Sequence, residues 1–262
     1  MSYETLTFAV EDDVATITLN RPDNANALTK KMSEELFDVA NSCDWRPDVR
    51  SVVLTATGKM FCAGGDLKEF DSQGQDIAEF ICAVATPLHA AITRFQRMDA
   101  PLVMAVNGTA AGAGLSLALA GDYILAADKA KFVSAYTASG LTPDGSSTYF
   151  LAKHVGLLRA KELVLTNRVL SAEEALQWGM VSRVVASQDL HAEAQKVART
   201  FASGPTRAFG GSKRLLLAAF NASMETQLEE ETVSIATMTR TADGRHGIAA
   251  FASKQTPEFK GR

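Results

Sequence analysis

Residues 101–121 carry no charged side chain over 21 consecutive positions, a run long enough to cross a bilayer if it formed one helix. Asn107 and four glycines, Gly108, Gly112, Gly114 and Gly121, argue against that reading because they would weaken a spanning helix. A buried strand over 102–106, a glycine-rich turn and a small-residue helix from about Gly112 accommodate them instead. No membrane span is expected. A strand that is apolar throughout needs cover on both faces, which a parallel sheet flanked by helices provides.

The remaining sequence supplies such elements. Residues 6–10 and 14–19 alternate apolar and polar side chains around Glu11-Asp12-Asp13, which predicts an antiparallel hairpin. From Thr29, the positions Met32, Leu36 and Val39 recur at helical spacing, and 51–55 is a β-branched run suited to a buried strand. A helix-length segment over 76–98 precedes the strand at 102–106, and a further strand is predicted over 123–127. Strands separated by helices imply right-handed crossovers and an α/β fold. Beyond Ser146 helices dominate, with a capping box at Ser171 and Glu174 and a last short strand over 181–185. No repeat or Gly/Ser linker interrupts the chain, so the expected division is a β/α core over 1–200 and a helical segment over 201–262.

Apolar residues make up 47% of the chain, ample for a core, and a net charge of -4 leaves no global basic field for nucleic acid or an anionic membrane. The densest basic group, Arg207, Lys213 and Arg214, reads as a short solvated helical face rather than an RNA-binding surface. Cys43, Cys62 and Cys82 form no C-x-x-C pair, and an odd number suits a reducing cytoplasm better than a disulfide framework. Residues 1–13 lack a basic stretch followed by an apolar core, so no targeting segment is expected. The four histidines are scattered and show no metal-ligand spacing with cysteine, and neither G-x-S-x-G nor a P-loop occurs. No metal is expected.

Two glycine segments carry the chemical signal. Phe61-Cys62-Ala63-Gly64-Gly65-Asp66-Leu67 follows a predicted strand and leads towards a helix, an arrangement that aims backbone N–H groups into a cleft, although a tight turn explains it equally well. Asn107-Gly108-Thr109-Ala110-Ala111-Gly112-Ala113-Gly114 also joins strand to helix, but Leu117 stands where a dinucleotide fingerprint requires glycine.

Together these segments resemble the two oxyanion-hole motifs of the crotonase (enoyl-CoA hydratase/isomerase) superfamily, F-C-A-G-x-D-L and A-V-N-G-x-A-x-G-x-G, at compatible separation. The resemblance continues through Ala130-Lys131-Phe132, Gly140-Leu141-Thr142-Pro143-Asp144-Gly145, Trp178-Gly179-Met180-Val181 and Pro257-Glu258-Phe259, and covers nearly the whole chain. It implies a β-β-α spiral core with a C-terminal helical trimerisation region, assembled as a homotrimer or homohexamer. It also implies an acyl-CoA thioester substrate whose carbonyl is held by the N–H groups of Gly65 and Ala113. Coenzyme A then enters as part of the substrate, and no separate cofactor is implied. By the same resemblance, the backbone around Ala25, Ala63, Asp66 and Leu67 lines the adenine and pantetheine path, and Phe251 and Lys254 close on a neighbouring subunit's ligand.

Hydratases of this superfamily use two glutamates at positions matching Ser116 and Tyr136. Neither residue replaces a carboxylate base at neutral pH, and Tyr136 is a hydrogen-bond donor rather than a base. The remaining candidate is Asp144. On residue pattern alone, Thr142-Pro143-Asp144-Gly145 makes an ordinary turn followed by a helix cap. The matching position, however, carries the catalytic acid in Δ3-Δ2 enoyl-CoA isomerases, and the Pro-Asp form resembles the phenylacetate-pathway isomerases. Double-bond isomerisation with Asp144 as the base is therefore the favoured activity. The rivals are hydration, a crotonase-fold RNA-binding role, and the chemistry of 4-chlorobenzoyl-CoA dehalogenases, whose aspartate nucleophile and nearby histidine match Asp144 and His89. By itself, an isolated His89 on an amphipathic helix reads as a packing or surface residue.

Overall fold

The computed structural model describes residues 3–262. The chain opens with β1 (Leu6–Glu11) and β2 (Val14–Leu19), paired antiparallel with Glu11 opposite Val14. Asp12 and Asp13 alone form the connection, both at positive φ, a conformation short acidic residues tolerate and one that matches the twist of a tight hairpin. After α1 (Lys30–Trp45), strand β3 (Ser51–Ala56) pairs parallel with β2. Helix α1 begins where Thr29 accepts a hydrogen bond from the Met32 N–H, and it buries Met32, Leu36, Val39 and Cys43 along one face.

From β3 onward the chain winds as a spiral in which successive strands fall in two different sheets. Strand β4 (Met60–Cys62) leaves the main sheet, and α2 (Leu67–Asp71) and α3 (Ile77–Arg97) lead back to β5 (Leu102–Val106). Strand β6 (Thr109–Ala111) leaves again, and α4 (Ala113–Leu119) returns to β7 (Tyr123–Ala127), followed by β8 (Lys131–Val133). Helices α5 (Ser147–Val155) and α6 (Leu157–Thr166) precede β9 (Leu170–Ser171), α7 (Ala172–Gln177) and β10 (Arg183–Val185). The main sheet has the order β1-β2-β3-β5-β7-β10, and the smaller sheet β4-β6-β8-β9. Every residue of β5 is buried, as its unbroken apolar run requires. The uncharged segment is thus strand, turn, strand and helix, all inside the protein.

The strands of the smaller sheet are too short to show a period and were not expected from the sequence. The last strand is also shorter than expected, because residues 181 and 182 enter as a bend. Ser171 and Glu174 do form a reciprocal capping box at the start of α7. Helix α3 with its preceding turn, Gly74–Arg97, is by length and composition apolar enough to cross a membrane. Leu88, Ala91, Ile92 and Phe95 on it are buried in the core, and α3 packs against α1.

Helix α8 (Leu190–Ala202) lies across β2, β3, β5 and β7, and is followed by α9 (Thr206–Ala218), α10 (Met224–Met238) and α11 (Ala242–Ala252). Of the basic group on α9, Arg207 and Arg214 are exposed, as a solvated face would have them, but Lys213 is not. Lys213 Nζ lies 2.6 Å from Asp122 Oδ2 and donates to the carbonyls of Phe95 and Ala100, while Arg214 pairs with Asp99. Asp122 also accepts from the Leu102 N–H, so one carboxylate ties α9 to the start of β5. Burial pushes Asp122 up and Lys213 down, and for each the main counterweight is the other's charge. Lys213→Ala is expected to leave the carboxylate unpaired and to lower stability by about 3–5 kcal/mol in chemical denaturation. A loss below about 1 kcal/mol would place the pair among ordinary surface ion pairs.

Candidate active site

Two backbone segments meet at the end of the smaller sheet. Strands β4 and β6 run parallel, with Met60 opposite Thr109 and Cys62 opposite Ala110, so the loops that follow them leave side by side. Their approach leaves no room for side chains. A Cβ on Gly114 would lie 2.3 Å from the Cys62 carbonyl oxygen, and one on Gly64 would lie 3.0 Å from that of Ala111. Gly112, at φ 52° and ψ -126°, turns the chain from β6 into α4 in a conformation that side chains rarely adopt.

The direction of the amides follows from the pairing. Leu28 N–H donates to the Gly64 carbonyl at 2.7 Å, and Asp66 N–H donates to the Leu28 carbonyl at 2.9 Å, a parallel bridge that flanks Gly65. The N–H of Gly65 consequently points away from Leu28, towards the cavity. Ala113 is the first residue of α4, so its N–H has no acceptor within the helix. Among the described residues neither amide is engaged, and both residues line one cavity of about 320 Å³. Leu28, Phe70, Ile81, Val84, Ala85 and Leu88 make much of the remaining wall apolar, with His89, Tyr136, Ser139, Thr142 and Asp144 as its polar part.

Asp144 lines the same cavity as these amides and is the one carboxylate among its lining residues. It does not cap α5. Tyr136 Oη donates to its Oδ1 at 2.6 Å, and His89 Nε2 lies 3.1 Å from its Oδ2. Ser116, fully buried, donates to the Asp144 backbone carbonyl at 2.8 Å and lies 2.9 Å from Tyr136 Oη. Burial works to raise the pKa of Asp144, but the bonds from His89 and Tyr136 outweigh it and hold the carboxyl below its ordinary value. Burial and the Asp144 charge push the Tyr136 phenol up, so it remains a protonated donor. His89 does lie at the surface, but it is not isolated there. Helix α3 brings it 55 positions along the chain onto the Asp144 carboxylate.

Ala63 and Leu67 line the cavity, and Ala25, at φ 53°, accepts from the Ala63 N–H. Asp66 caps α2 by accepting from the Glu69 N–H, and lies 3.3 Å from Arg21. Phe251, 72% exposed, and Lys254 do not reach the cavity of their own chain. Two supporting residues were not anticipated. Asn26, fully buried, accepts from Arg21 N–H and donates to the Thr57 and Met60 carbonyls, which fixes the segment that holds the Ala63 loop. Phe70 lies under Gly65, with ring atoms 2.7 Å from where a Cβ would be. Both roles depend on partners distant in sequence, and no local pattern announces them. Among the described residues no group of three or more metal-ligating side chains occurs.

A fold that aims two free amides and a single carboxylate into one apolar cavity defines a class of enzymes that act next to a carbonyl. Residues 9–262 match the family model described as enoyl-CoA hydratase/isomerase, and the chain belongs to that family. It is 38% identical, over 97% of each chain, to a 1,2-epoxyphenylacetyl-CoA isomerase of Escherichia coli. It is also 33% identical to a 4-chlorobenzoyl coenzyme A dehalogenase of an Arthrobacter species, over 93% of this chain and 89% of the other. A crystal structure of enoyl-CoA hydratase from Bacillus anthracis superposes with a TM-score of 0.92 at 31% identity, covering 99% of this chain and 100% of that one.

If Tyr136 holds the Asp144 carboxylate in its ionised state, Tyr136→Phe should raise the Asp144 pKa. Carboxyl-carbon NMR titration of the two proteins measures this directly. An unchanged or lower value in the variant would contradict the assignment.

Proposed function

We propose that the protein shifts a double bond in an enoyl-CoA thioester, with Asp144 as the proton carrier. The observation that carries this reading is a lone carboxylate lining the same largely apolar cavity as two unengaged amides. The Gly65 and Ala113 amides hold the thioester oxygen, where negative charge grows as a proton leaves the α-carbon. Losing one such donor costs about 100- to 1000-fold in rate. Asp144 takes that proton and returns it further along the chain, a task that one carboxylate can perform.

Hydration requires a second group to activate water. Ser116 and Tyr136 are held as hydroxyls in a hydrogen-bonded chain with Asp144, which supports isomerisation instead. A second reading draws on His89: an aspartate nucleophile with histidine beside it would suit hydrolytic displacement on an aryl thioester. Coenzyme A would follow the backbone at Ala25, Ala63, Asp66 and Leu67, with Phe251 and Lys254 of a neighbouring copy closing over it. Self-association as a homotrimer or homohexamer is supported by α10, which buries none of its residues and exposes Leu228, Val233 and Ile235. We place the enzyme in the cytoplasm.

Product analysis of wild type and Asp144→Asn with 3-enoyl-, 2-enoyl- and 4-chlorobenzoyl-CoA tests the proposal. Double-bond migration should fall by about 100- to 10,000-fold in the variant. Hydration retained by the variant, or chloride release by the wild type, would move the assignment to the corresponding rival. Because the Asp144 pKa lies below its ordinary value, the acid limb of kcat/KM for isomerisation should fall below about pH 3.9. A limb near neutrality would contradict a carboxylate that rests ionised.

A further inference from the structure

We infer that His89 relays the migrating proton between Asp144 and solvent, so that the hydrogen removed from the substrate exchanges with water before it is returned. The inference rests on isomerisation at Asp144. Its basis is the environment of one atom, His89 Nε2, which lies 3.1 Å from Asp144 Oδ2 and 3.0 Å from the Gly145 backbone nitrogen. A ring nitrogen has one site in its plane. It either carries a proton and donates to the carboxylate, or is bare and accepts from the Gly145 N–H. Both arrangements have a partner already in place.

The Gly145 amide has little freedom to move away. Its residue stands at φ 59°, a Cβ there would lie 2.9 Å from that of Ser116, and Ser116 also binds the Asp144 carbonyl. The same short loop therefore presents a carboxylate and an N–H to the same nitrogen. Before turnover Asp144 is ionised, and the His89 ring interconverts between the tautomer that donates from Nε2 to the carboxylate and the one whose bare Nε2 accepts from Gly145, the second being the one that can receive a proton. Breaking the substrate C2–H bond forms an O–H bond on Asp144. That proton then crosses to Nε2, leaving a carboxylate beside an imidazolium and displacing the Gly145 bond. Return runs the same steps in reverse: the proton passes to Asp144 and then to C4, while the dienolate electrons reform the carbonyl and place the double bond between C2 and C3. No electrons are gained or lost.

The relay has an outlet because the His89 side chain is 47% exposed, against 35% for Asp144. An imidazolium open to water exchanges its protons, whereas a proton confined to Asp144 is more readily returned. His89 acts through Asp144, so a rate change alone would not separate relay from positioning. The fate of the hydrogen does.

The experiment supplies 3-enoyl-CoA deuterated at C2 and measures deuterium at C4 of the 2-enoyl product by mass spectrometry, in wild type and in His89→Gln. Glutamine keeps a polar group near Gly145 and Asp144 but cannot carry a proton through its ring. Wild type should lose most of the label to water, and His89→Gln should retain it several-fold more while still isomerising. Equal retention in the two active proteins would overturn the relay and leave isomerisation at Asp144 intact. Absence of isomerisation in the wild type would instead overturn the reading on which the relay rests.

Discussion

The approach of two backbone segments at the end of the smaller sheet governs the rest of the site. Strands β4 and β6 pair for only a few residues, yet that pairing sets the loop around Gly65 against the first turn of α4. Glycines at 64, 112 and 114 let the segments touch, and Asn26 and the Leu28 bridge hold the outer loop from behind. The result is a pair of donors fixed by the main chain, with no side-chain rotamer to order and no reorganisation needed when charge develops on a bound oxygen. The extensive core beneath, from the unbroken apolar β5 to the helices on either side, keeps that geometry rigid.

Much of this was legible in the sequence where residues acted locally. The β1–β2 hairpin, helices α1 and α3, strands β3, β5 and β7, and the capping box at Ser171 are each encoded by a period or a turn signal within a dozen or so positions. The strands of the smaller sheet were not legible, because two or three residues cannot display alternation. Asp144 could be singled out by resemblance, whereas its pattern alone indicated a turn and a helix cap. Its carboxylate instead bonds Tyr136 and His89. Lys213 was misread for a similar reason. A basic residue on a helix resembles a solvated face until the buried Asp122 opposite it is known.

The electrostatics divide between the two sides of the cavity. One side offers amide dipoles for a developing oxyanion, and the other holds a carboxylate whose hydrogen bonds offset the effect of burial. Tyr136 takes part as a neutral donor, which keeps the Asp144 charge in place without supplying a second base. These features favour moving a proton within a bound thioester over adding water to it.

In the proposed mechanism everything turns on the Gly65 and Ala113 amides gripping the thioester carbonyl. Isotope-edited infrared spectroscopy of a saturated acyl-CoA, labelled with ¹³C at the thioester carbonyl and bound to the protein, tests it most directly. With both amides donating, the carbonyl stretch should shift to lower wavenumber than that of the same ligand free in water. A stretch unshifted or moved upward on binding would show that the two amides do not hold the reacting oxygen.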